Sequence, residues 1–190
     1  MPSHVNVILQ STLLKTAANL AAQAAKIWTH DDSALKDIDW LSVAEFAVCG
    51  VLQAEIGWHW HNFLEGTFPT ARPEPQDEYE DEKQKYQERQ EYWLHIYLKL
   101  MLDQTAGSFT MNTVFIICIT AARVESVDML GKELDERIWP LVLDAWKIWP
   151  AVALVNFLWV PVGWRVPVSS CVGFAWNIFL SVWTLARQEA

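Results

Sequence analysis

The chain has 190 residues, 52% of them hydrophobic and twelve of them Trp, with a formal charge of −9. That length suits one domain, but the Trp content is far from that of an average soluble one. No basic stripe exists to match a phosphate backbone, which sets nucleic acid aside as a partner. The negative charge is largely local, since residues 74–91 hold eight acidic and three basic side chains. Runs of about 20 apolar residues suit helices crossing a bilayer, whereas the alternating segments of a membrane barrel are absent. The expected fold is all-α: an integral membrane bundle of about four spans in a single domain.

In chain order, residues 6–28 form the first expected span, with Ala17, Ala18, Ala21, Ala22 and Ala25 offering a face for close helix approach. Residues 40–64 form the second, bounded by Trp40 and by Trp58 and Trp60, where indole rings favour the interface. Residues 66–93 read as a charged extramembrane segment with supportive i,i+4 pairs such as Asp81 and Lys85, running into the next helix. The third span covers 96–122, polar in its first half and apolar in its second.

Residues 124–146 space Val127, Leu130, Leu134, Ile138 and Leu141 three and four apart, the pattern of an amphipathic interfacial helix, with a kink expected at Pro140. Residues 148–185 form the last span. Its first 36 residues carry one charge, Arg165, and three prolines, Pro150, Pro161 and Pro167. They predict a short helix before Pro161, a break around residues 160–165 and a longer helix to about 185. Lys and Arg are nearly even on the two sides, so the positive-inside rule assigns no orientation. Cys49, Cys118 and Cys171 lie in apolar sequence without CxxC spacing, which fits reduced thiols. The N-terminus has neither a signal-peptide core nor an Arg-rich transit peptide, so internal targeting is expected.

Ionisable groups inside a span face the bundle interior or water and are functional candidates. Here they include Lys15, Glu45, Glu55, His59, Lys99, Asp103 and Arg165, with Gln104, Asn156 and Asn177 as neutral partners. Lys99 with Asp103, and Glu55 with His59, are i,i+4 pairs. A water-lined pore and a structural network of satisfied hydrogen bonds fit this polar seam equally well. A membrane enzyme using Asp103 or Glu55 is a third reading. It lacks a Ser-His-Asp set, a Gly-rich phosphate loop and an HExxH motif, so no catalytic residue is assigned. His59 and His61, two apart, point to different faces. They read as part of an interfacial belt, with no metal or cofactor expected.

The stretch from Lys147 to Ser181 resembles the C-terminal signature of the Mpv-seventeen and peroxisomal-membrane-protein-twenty-two family. Trp149 and Pro150 are followed by Asn156, Phe157, Val160, Pro161 and Arg165, then by Trp176, Asn177, Leu180 and Ser181. Lys99, Leu102, Asp103 and Gln104 are similar to a second family element, and residues 57–69 to a third. Where members have Gly-Pro in the second helix, Ala54 and Glu55 stand here.

The resemblance implies a small integral protein of an organelle membrane, the mitochondrial inner membrane ahead of the peroxisomal, passing small solutes as a channel. A non-conducting structural or regulatory protein of the same membranes is the alternative. Expected partners are the bilayer, small solutes and further copies of the chain. Arg165, at the break, is expected to donate to freed backbone carbonyls and to one acid, Asp103 first and Glu55 second. The pore candidates are Arg165, Asp103, Lys99, Gln104, Glu55, His59, Asn156 and Asn177, with Trp149, Pro150, Pro161 and Trp176 as structural signature.

Overall fold

The structure, a computed structural model, describes residues 2–29, 38–70 and 82–188, and of residues 26, 28, 29, 82–85 and 177–188 the backbone alone. It is all-helical over these residues: α1 (His4–Thr29), α2 (Trp40–Thr67), α3 (Glu82–Leu102), a π turn (Asp103–Gly107), α4 (Ser108–Thr120), α5 (Val127–Ala145), α6 (Trp149–Trp159) and α7 (Val162–Gln188). α1 packs on α2 and α7, α4 on α2 and α5, and α3 on α6. Of the expected charged segment 66–93, residues 71–81 lie outside the described set, and the remainder from Glu82 is already helix.

Local chemistry explains the boundaries. Asp39 caps α2 by accepting from the Ser42 N–H, and Ser126 caps α5 by accepting from the Met129 N–H. Pro150 sits in the first turn of α6, where its missing N–H leaves no bond unmade. Val160, held extended by the proline after it (φ −100°, ψ 122°), ends α6. The break is shorter than the sequence suggested, because helix resumes at Val162; α7 then runs through Pro167. α5 likewise runs through Pro140, and a bend of 57° falls between α5 and α6.

The burial pattern is inverted relative to a water-soluble core. Lys99 is fully buried and Asn156, Arg165 and Glu45 nearly so, while Leu13, Val48, Phe63, Trp139 and Trp159 are exposed. Buried ions among exposed large apolar side chains are costly in water and suit a lipid surround. α2 is long and apolar enough to cross a membrane alone, with only 28% of its apolar window buried; α5 and α6 pass the same test together across their bend. By this measure there are one or two clear spans among the described residues. α3 is dominated by charge in its first half, and the helical run it starts is interrupted at the π turn.

Candidate functional site

Arg165 meets a different acid from the one expected. Its Nη2 lies 2.8 Å from Glu65 Oε2, and the Lys99 ammonium lies 2.7 Å from the same oxygen. The other oxygen, Oε1, accepts from the Thr70 N–H and hydroxyl, each at 3.0 Å, and Lys99 also donates to the Thr70 hydroxyl at 2.8 Å. Glu65 lies one residue beyond the expected span, at the end of α2, where the chain turns back through Pro69 toward α3.

The other half of the Arg165 expectation holds. Its Nε donates to the Val160 carbonyl at 3.1 Å, so one guanidinium closes the helix break and carries the ion pair. Asn156 joins the two sides of the break by donating to the Ser169 hydroxyl at 2.9 Å. The Phe157 ring lies beneath both cations, 5.2 Å from the guanidinium and 6.0 Å from the ammonium, at cation–π range. The edge of His61 meets the same ring. A cavity of about 360 Å³ opens here, bounded by Glu65, Thr70, Tyr92, Phe157, Pro161 and Arg165 among others. Arg165 Nη1 and Asn156 Oδ1 are buried without a hydrogen-bond partner.

Asp103, the acid first expected for Arg165, opens the π turn and is held elsewhere. Its two oxygens accept from Trp60 Nε1 and Gln104 Nε2, each at 2.9 Å, while the Gln104 carbonyl accepts from Trp146 Nε1 at 2.7 Å. Gly107 makes this possible: a Cβ there would stand 2.9 Å from Trp60 Nε1. Lys99 therefore pairs with Glu65, not with Asp103. Glu55, the second expected partner, lies with His4 and His59 at the α1–α2 contact; its predicted i,i+4 contact with His59 is present at 3.1 Å. The single seam of the sequence reading is thus several separate polar clusters. The Asn177 side chain lies outside the described residues. Trp149 begins α6 and Trp176 lies on α7, with Gly173 facing Trp149.

Two further clusters fix α1 and α2. Lys15 donates to Gln53, which donates on to the Met111 carbonyl of α4 at 2.8 Å. Asn19 donates to Ser42 at 3.0 Å, and Gln23 bonds the Asp39 backbone, so the two helices run antiparallel. At that end Arg123 lashes the α4–α5 turn to α2. Its Nε lies 2.8 Å from Glu45 Oε1, and its Nη2 lies 2.8 Å from both Glu45 Oε2 and Asp39 Oδ2.

The hydrogen bond from Arg123, with the Ser42 N–H adding to it, holds Asp39 below its ordinary 3.8, while Glu45 and Asp39 raise Arg123 further. A depressed carboxyl contributes stability above its unfolded value and loses it as pH falls through the folded one. Wild type should therefore exceed Asp39→Asn in melting temperature by a constant margin from pH 7 to 5, the margin closing only below 3.8. Thermal melts across that range check it.

Glu65, Thr70, His61, Trp60, Trp146 and Arg123 were missed as site residues. A charge count carried the one available signal for Glu65: Lys99 and Arg165 both needed an acid, and a carboxylate one residue past the span was within reach.

Residues 121–181 match the model of the Mpv17 / PMP22 family. The chain is 29% identical over 154 residues to PXMP2/4 family protein 3 of Dictyostelium discoideum, covering 81% of this chain and 73% of that protein. It is 28% identical over 92 residues to Protein SYM1 of Saccharomyces cerevisiae, covering 48% of this chain and 47% of that protein. It is 32% identical over 91 residues to the mitochondrial inner membrane protein Mpv17 of Caenorhabditis elegans, covering 44% of this chain and 46% of that protein. The matched region thus spans about half the length of the latter two relatives. No solved structure matches. The family match falls on the helix break and its arginine, and with the likeness over most of the chain it makes this protein similar to the Mpv17 / PMP22 family in sequence.

Proposed function

We propose that the chain is a four-span membrane bundle that passes small solutes, with a preference for small anions set by Arg165. It is an organelle-membrane protein, the mitochondrial inner membrane favoured, as for its relatives so named. The observation that carries the solute reading is the 360 Å³ cavity at the helix break, lined by Arg165 and Glu65, where one guanidinium nitrogen, Nη1, has no hydrogen-bond partner. Charged side chains lining a narrow passage select ions of opposite sign.

Planar-bilayer recording of the purified protein tests this. Wild type is expected to show discrete openings with anion preference. In Arg165→Gln, checked to be folded, that preference should fall about fivefold, the factor for ~1 kcal/mol between unit charges at 4 Å in water. One observation favours the second reading, a non-conducting structural protein: Arg165 already serves the Val160 carbonyl and Glu65 together, as a staple would. A silent, well-folded wild type would establish that reading in place of the first.

A further inference from the structure

At the end of the α1–α2 pair opposite the Arg123 lash, three metal-ligating side chains converge. His4 in the first turn of α1 places Nε2 2.9 Å from Glu55 Oε2, and His59, one turn beyond Glu55 on α2, places Nε2 3.1 Å from Glu55 Oε1. The two imidazoles stand edge to face with centroids 5.7 Å apart. Each residue offers a ligand atom within 4.8 Å of the other two.

We propose that His4, Glu55 and His59 bind a divalent transition-metal ion of the zinc type, cross-linking α1 to α2 near the membrane surface. The donor set selects the metal. Two imidazole nitrogens with one carboxylate suit zinc and its first-row neighbours, whereas calcium and magnesium take oxygen ligands. The spacing is close: donors about 2.0–2.1 Å from one tetrahedral ion stand about 3.4 Å from each other, and the two carboxylate–imidazole contacts, 2.9 and 3.1 Å to the two oxygens of Glu55, lie just below that value. Side-chain rotation alone can bring the third pair in, because His59 is 70% and Glu55 41% exposed.

The arrangement is also more than a surface ion pair. One protonated histidine would satisfy one carboxylate, and two imidazolium rings this close repel. A single dication replaces two protons while both rings stay neutral. The Trp58 ring, with its centroid 5.1 Å from that of His4, walls one side. Three protein ligands leave a coordination position open to solvent, the arrangement of a reversible or reactive site, not a closed structural one. His59 stands about 28 Å along the α2 axis from Trp40 at 1.5 Å per residue, about the depth of the hydrocarbon core, so the ion would lie at the headgroup level and be reachable from water.

The test uses the full chain in detergent, freed of metal with a chelator and titrated calorimetrically with Zn²⁺, with Co²⁺ as an absorbance probe of coordination. Wild type is expected to bind one Zn²⁺, to gain melting temperature on doing so, and to give the visible bands of tetrahedral Co²⁺. His59→Ala removes an exposed side chain and should fold normally; it and Glu55→Gln are expected to bind at least tenfold more weakly and to lose the zinc-dependent rise. His95→Ala, distant on α3, should behave as wild type. Equal zinc binding by wild type and His59→Ala, no binding by either, or loss of binding in His95→Ala would each overturn the proposal.

Discussion

Glu65→Gln is expected to destabilise the protein by about 3 kcal/mol or more, because it leaves two buried cations around a neutral amide. Breaking a buried ion pair by removing one partner costs about 3–5 kcal/mol; here the surviving side chains are 0% exposed for Lys99 and 4% for Arg165. The glutamate side chain is 28% exposed, and the water that reaches it places the effect toward the lower end of that range. Gln keeps an oxygen for the Thr70 donors, so the loss reports charge and not shape.

Adding Lys99→Met should recover part of the stability, since one of the stranded charges then leaves. Asp103→Asn, by contrast, should cost no more than about 1.5 kcal/mol, the usual net value of a hydrogen bond: Asp103 accepts from Trp60 and Gln104 with no cation in contact. Thermal or denaturant unfolding of the three variants in one detergent separates these outcomes. An equal loss in Glu65→Gln and Asp103→Asn would show that charge pairing at Glu65 is not what holds this end of α2.

Gly50→Leu should separate α1 from α2, and Gly50→Ala should already destabilise. A Cβ at Gly50 would lie 2.8 Å from Thr12 Cα, and backbone cannot swing aside as the end of a side chain can. Overpacking of a fitted contact costs about 1–3 kcal/mol, whereas the helix propensity gained from Gly to Ala returns about 1 kcal/mol. The sum is unfavourable for Ala and strongly so for Leu. Gly131 supplies the control of opposite sign. It lies within α5, and a Cβ added there would meet nothing within 4 Å, so Gly131→Ala should stabilise by about 0.4–1 kcal/mol. Melting temperatures moving in opposite directions for the same chemical change would tie the effect to the α1–α2 approach.

How much of this was readable in the sequence depended on whether the cause was local. Pro150, Pro161 and the caps Asp39 and Ser126 act on neighbouring backbone, so the ends of α2, α5 and α6 were legible within a few residues. The double role of Arg165 was legible too, because a helix break frees carbonyls wherever it occurs. Its acid was not. Glu65 reaches Arg165 across a hundred positions of chain, through the docking of α2 beside the α6–α7 break, and no spacing rule encodes that distance. Arg123 and Glu45 are 78 positions apart and were hidden for the same reason. Lys99 and Asp103 show the opposite failure: the i,i+4 spacing was real, but Asp103 was already taken by Trp60 from the neighbouring helix.

The π turn at Asp103–Gly107 bears on how the chain tolerates changes of length. Such a turn is an α-helix that has accommodated one surplus residue, so the segments on either side keep the faces they would have in a straight helix one residue shorter. A single deletion inside it would leave Lys99 directed at Glu65 and Ile116 directed into the core with α5. The same deletion elsewhere in an α-helical run would turn everything beyond it by about 100°. Length variation in this stretch of the fold therefore has one natural home, and a one-residue gap there in an alignment would mark a straightened helix with its side-chain faces preserved.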